Sequence, residues 1–132
     1  MTYYVDLTPY TYDRDNWAPD ATGHWHGVPL VNVGWLERGQ PYEQGVAPSG
    51  LAAVLTRMSS THRAQQTRGF HSCPFCVSRM FGSRPSHPRG SAEIWVMGGD
   101  VAYAAPELIA HYVEAHDYAP PGDFVQAVLA AA

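Results

Sequence analysis

The chain of 132 residues has two cysteines, Cys73 and Cys76, and two of its histidines, His111 and His116, follow far downstream. Both thiols sit in Arg68-Gly-Phe-His-Ser-Cys-Pro-Phe-Cys76, two residues apart, with His71 two positions before the first. Thiolate sulfur and neutral imidazole nitrogen are the donors that Zn2+ takes in tetrahedral sites. A Cys-x2-Cys pair followed by a spaced pair of histidines is a common way for a short chain to supply four of them. Thirty-four residues separate Cys76 from His111. That is more than a minimal zinc finger contains, and a hairpin can fill the distance.

Geometry attaches a condition. On a regular helix, at about 100° per residue, His111 and His116 point about 140° apart, too far to share an ion. The helix must therefore end or loosen near Ala115, and Asp117-Tyr-Ala-Pro-Pro121 makes an end there reasonable. If it does not loosen, His71 is the alternate fourth ligand, beside Cys73, Cys76 and one helix histidine.

Other chemistries compete for the same residues. Cys-Pro-Phe-Cys also suits a thiol redox pair, but such a motif should follow a buried strand and open a helix, whereas here it follows basic loop residues. A zinc hydrolase would hold the ion with Cys73, Cys76 and His111, keep a water in the fourth position, and relay its proton through Glu114 or His116. His24 and His26 could form a two-ligand arm if locally extended, but between Gly23 and Gly27 a surface loop is the simpler reading. There is no phosphate-binding Gly-rich loop, nucleophile elbow or His-Glu-x-x-His motif.

The elements that must position these residues follow from hydrophobic spacing. Leu51, Val54, Leu55 and Met58 fall at i, i+3, i+4 and i+7, which predicts a helix from 48 to about 60 with Ser49 near its cap. Leu30-Val-Asn-Val-Gly-Trp-Leu36 predicts a strand, and Tyr3 to Leu7 a short edge strand; Asp13 to Pro29 reads as a long loop. Glu93–Met97 and Val101–Ala105 flank Gly98-Gly99-Asp100, which is hairpin chemistry. Pro106 to His116 reads as a helix starting at the proline, with a last short helix after Pro120-Pro121. Trp35, Trp95, Tyr103 and Tyr112 are most simply core. The expected fold is α+β: a small antiparallel sheet with a hairpin and about three helices, in one domain over 1–132. Residues 1–47 form an irregular and strand-bearing part, and 68–118 a zinc-finger-like knuckle, hairpin and helix.

The order DLTPYTY, NVGWL, RGFHSCPFC, GSAEIWV and YAAPELIAHYVEAHDYAPPGDFVQAVL resembles a family of small bacterial proteins known only as a domain of unknown function. The resemblance covers most of the chain and is strongest from Arg68 onward; residues 13–29 look like an insertion. It implies the fold and the metal, with Cys73, Cys76, His111 and His116 at the family's expected ligand positions, and it implies no activity.

Charge is unevenly spread. Net charge is −4, yet Arg57 to Arg89 carries six arginines and no acidic residue, while the rest has two arginines against all twelve acids. Such a basic island, with Phe70, Phe75 and Phe81 within it, could meet nucleic acid or an acidic protein partner through Arg63, Arg68 and Arg79. Alternatively its arginines pair with the acidic remainder of the domain. No apolar run of about 18 residues and no signal-like start is present, so a cytoplasmic location is expected.

Overall fold

A computed structural model describes residues 4–10, 24–64, 71–76, 89–90 and 92–131. The elements run β1 (His24–Trp25), β2 (Val28–Asn32), α1 (Leu51–Thr61), β3 (Arg63–Ala64), β4 (His71–Ser72), β5 (Arg89–Gly90), β6 (Glu93–Met97), β7 (Ala102–Pro106), α2 (Ile109–Ala115) and α3 (Gly122–Ala131). The fold is α+β. Its larger sheet has the order β1-β2-β7-β6-β3, and β4 pairs separately with β5.

That sheet is mixed, which refines the expected antiparallel one. The hairpin predicted around Gly98-Gly99-Asp100 forms, with Met97 opposite Ala102 and Glu93 opposite Pro106. β2 instead lies parallel to β7, Leu30 opposite Ala102 and Asn32 opposite Ala104. A parallel neighbour needs a long crossover, and the whole stretch from Val33 to Val101 supplies it.

Val31, Tyr103, Ala105, Ile94 and Val96 share the sheet face that packs against the helices, where Leu51, Leu55, Met58, Ile109, Tyr112, Phe124 and Val128 complete the main core. The spacing that predicted α1 is the spacing that buries Leu51, Leu55 and Met58. On the opposite face Leu30, Ala102, Ala104 and Trp95 are covered by Tyr10 and Trp25. Glu93, only 1% exposed, is held there by the Tyr10 hydroxyl at 3.0 Å and the Trp95 indole N–H at 2.8 Å.

Several local expectations give way to backbone demands. Ser49 does not cap α1: Gly50 occupies the N-cap at φ 87°, with no side-chain cap bond. Pro106 ends β7 rather than starting α2, which begins at Ile109. The strand expected over 30–36 stops at Asn32. Gly34 stands at φ 83°, and a Cβ there would lie 2.8 Å from Ile109 Cδ1, so α2 packs against a position that only glycine fits. No regular strand forms between Tyr4 and Leu7; Leu7 is left-handed at φ 70°, and a single bridge joins Pro9 to Val31.

The later part of the segment read as a loop is a hairpin, in which β1 and β2 are joined through His26 at φ 54° and Gly27 at φ 86°. That pair of positive φ values matches strand twist. It also places His24 on a strand and His26 in the turn, so they do not share one extended face as a two-ligand arm would require. Among the described residues no helix is long and apolar enough to cross a membrane.

Candidate metal centre

Cys73 and Cys76 lie on the turn that leaves β4. The Cys76 N–H donates to the Cys73 carbonyl at 3.2 Å, and the N–H groups of Phe75 and Cys76 also face the Cys73 sulfur, favouring its thiolate. Burial outweighs them and pushes the Cys73 thiol up to about 11 in the metal-free protein. Neither cysteine is in a disulfide. Cys73, fully buried and with its pKa raised by that burial, does not supply the depressed, accessible thiol that starts thiol exchange.

The histidines come from α2, and the condition on its end is met. The last helical residue is Ala115; His116 departs to φ −124°, ψ 16°, and Asp117 turns left-handed at φ 57°. Aspartate tolerates that conformation better than most residues. The turn lets the Tyr112 carbonyl accept both the His116 N–H at 3.0 Å and the Tyr118 N–H at 3.2 Å. As a result both imidazoles point to one place.

There the four side chains meet. Cys76 Sγ lies 3.2 Å from His111 Nε2 and 3.4 Å from His116 Nε2; Cys73 Sγ lies 3.4 Å from His116 Nε2; and the two Nε2 atoms are 3.2 Å apart. All four donor atoms fall within 4.8 Å of one another, close enough to hold a metal ion. Burial, reinforced for His111 by neighbouring His116, holds both imidazole pKa values below the ordinary range, while Asp117 pulls His116 partly back. Neutral imidazole is the ligating form, so burial favours coordination.

Aromatic rings enclose the group. Phe75, between the two cysteines in sequence, packs at a tilt of 44° on His116 with ring centroids 5.0 Å apart, and edge-on against Tyr112 at 5.9 Å. Tyr42 lies 5.5 Å from Phe75 and 6.1 Å from Tyr118. Tyr42 is a neighbour of the group that spacing did not single out, because nothing in the polar segment before Pro48 announces a contact with residues more than seventy positions away.

The remaining candidates are not gathered here. His71 and Arg63 are placed as backbone of β4 and β3, their side chains falling outside the described residues, as do Arg68 and Arg79 entirely. Glu114 is not in the donor group; it lines a cleft of about 380 Å³ with Val46, Ala47, Val113 and Asp117. That cleft contains none of the four donors.

No curated protein and no solved structure compared with the chain matches it. A family model does match, over residues 2–129, and takes in every element from the N-terminal segment on β2 to α3. The chain therefore belongs to the family described as a domain of unknown function, DUF7919.

Proposed function

We propose that Cys73, Cys76, His111 and His116 hold one Zn2+ as a structural clamp, and that the arginine-rich segment fastened by this clamp binds an anionic partner, nucleic acid foremost. The observation that carries the metal reading is the set of donor separations. With Zn–S near 2.3 Å and Zn–N near 2.05 Å, a tetrahedron sets sulfur and nitrogen about 3.6 Å apart and two nitrogens about 3.3 Å apart. The 3.2–3.4 Å separations between the sulfurs and the imidazole nitrogens, and 3.2 Å between the nitrogens, lie close to those edges. Two sulfurs with two imidazoles also favour zinc over the hard cations, which take oxygen.

An ion held by all four of these protein donors would have no position left for a reacting water, and their mutual closeness, within 4.8 Å, supports a structural ion over a hydrolytic one. The ion then ties the turn after β4 to the end of α2 and adds its binding free energy to folding. The partner reading rests on charge. The span from Arg57 to Arg89, which contains the two cysteines, carries six arginines and no acid, the kind of charge that neutralises phosphates.

Elemental analysis of protein purified without added metal tests the first part. One zinc per chain, with the purified content falling in Cys73→Ser, His111→Ala and His116→Ala, is the expected result; a full complement of zinc in His116→Ala at wild-type affinity would revive the open site. For the second part, fluorescence anisotropy with a short labelled oligonucleotide should show affinity falling with salt. Arg68→Ala with Arg79→Ala should weaken binding and flatten that salt slope. Unchanged binding in the double variant, or binding only to an acidic polypeptide, would overturn the nucleic-acid reading.

A further inference from the structure

His111 and His116 can share an ion only because residue 116 leaves the helix, so whatever holds residue 116 there governs the site. The segment Tyr42 to Gly45 does so residue by residue. The Tyr42 hydroxyl donates to the His116 carbonyl at 2.9 Å. The Gly45 N–H donates to the Asp117 carbonyl at 3.0 Å, the Ala119 N–H donates to the Glu43 carbonyl at 2.9 Å, and Gln44 bridges Tyr118. Each residue from His116 to Ala119 thus has a partner among these four.

Tyr42 differs from the other three in touching both halves of the centre. Its hydroxyl holds the main chain of His116, and its ring packs on Phe75, which stands between the two cysteines and itself packs at a tilt on the His116 imidazole. Asp117 alone sets the left-handed turn, but a left-handed residue fixes only the direction in which the chain leaves. The position of the His116 carbonyl depends on both φ and ψ of that residue, so the Tyr42 bond favours the non-helical pair, −124° and 16°. That φ in turn sets the line along which Cβ and the ring project.

We propose that Tyr42 is the positioning residue of the metal centre: through its bond to the His116 carbonyl it holds that histidine in the non-helical conformation that lets it share an ion with His111. This rests on the metal reading above. Without the bond, the peptide is free to continue the helix by one residue, which swings the His116 ring away from His111. The three remaining donors still bind, more weakly and with an open position.

The test is Tyr42→Phe, which keeps the ring and its packing. Zinc affinity is read by competition with a chromogenic chelator, and donor geometry by the visible absorption of the Co2+-substituted protein. Outer partners of metal ligands typically govern affinity by 10–100-fold, so a loss of about 10-fold is expected, with altered cobalt bands. The metal-free variant should unfold slightly below the wild-type denaturant midpoint, as the loss of one part-buried hydrogen bond requires, while the zinc-loaded variant loses distinctly more; a merely structural tyrosine would lower both midpoints alike. In a His116→Ala background the same change should cost nothing further in affinity. Wild-type affinity and cobalt spectrum in Tyr42→Phe, or an equal loss in the His116→Ala background, would overturn the positioning role while leaving the metal centre standing. A wild-type protein that binds neither ion would overturn the metal reading itself.

Discussion

His111, within the seven-residue α2, and His116, the residue just past its end, are five positions apart, yet their Nε2 atoms lie 3.2 Å from one another. A continuous helix would have sent them about 140° apart. Their convergence is the work of the helix ending one residue earlier, at Ala115, and it gives the centre its fourth donor.

Metal should act as a folding ligand. At free zinc about 100-fold above the dissociation constant, stabilisation of about 2.7 kcal/mol is expected, a rise in Tm on the order of 10 °C for a chain of this size. Differential scanning fluorimetry with and without a chelator measures it; a chelator-insensitive Tm in a zinc-loaded sample would contradict the clamp.

Acid should weaken the metal-free protein and strip the loaded one. With folded-state histidine pKa values below 6.5, the unfolded chain binds more protons than the folded one just below that pH. Stability is therefore fully present above 6.5 and is lost as pH falls from 6.5 through the lowered values. Urea midpoints of metal-free protein at about pH 7.5 and about pH 5.5 should show the drop, and His111→Gln with His116→Gln should flatten it. In the loaded protein, protons compete with the ion for the same nitrogens and sulfurs, so zinc release should accompany acidification.

Glu93 anchors the second core. Glu93→Ala removes an acceptor of two buried donors, the Tyr10 hydroxyl and the Trp95 indole, and should cost about 2–6 kcal/mol, since each buried donor that loses its partner costs roughly 1–3. Zinc stoichiometry in whatever folds should stay at the wild-type value, because the carboxylate lies on the sheet face opposite the helices. Loss of zinc from folded Glu93→Ala would link the two faces in a way the contacts do not.

Gly34→Ala places a methyl 2.8 Å from Ile109 Cδ1 in a left-handed backbone. Overpacking and conformational strain together predict a loss of about 2–4 kcal/mol. Because Ile109 opens the helix that carries both histidines, metal affinity should fall as well. A variant as stable as wild type would show that the start of α2 yields easily.

The four donors that could hold a metal ion are legible in the sequence because their chemistry is carried by residue type: thiol and imidazole at these spacings have few other uses. The three helices and the Gly98-Gly99-Asp100 hairpin are legible because periodicity and glycine conformation are local properties. The parallel pairing of β2 with β7 is not, since an apolar five-residue strand looks the same in either direction. The clasp from Tyr42 to Gly45 is not legible for a different reason. Its bonds are mostly between main-chain groups, and main-chain groups are alike at every residue. Pro106 misleads because a proline that can open a helix can equally close a strand.

The parallel pairing also bears on the order in which the chain comes together. Leu30 meets Ala102 about 70 positions later, a closure that ordinarily slows folding, because much of the chain's freedom is surrendered before the contact rewards it. The ligands span a shorter reach, 43 positions from Cys73 to His116. An ion captured early would already hold the cysteine turn against α2, immediately after the strand that β2 must find. The search for the sheet would then begin from a smaller loop and a pre-assembled C-terminal half, and metal supply during synthesis would set how fast the fold is reached as well as how firmly it is kept.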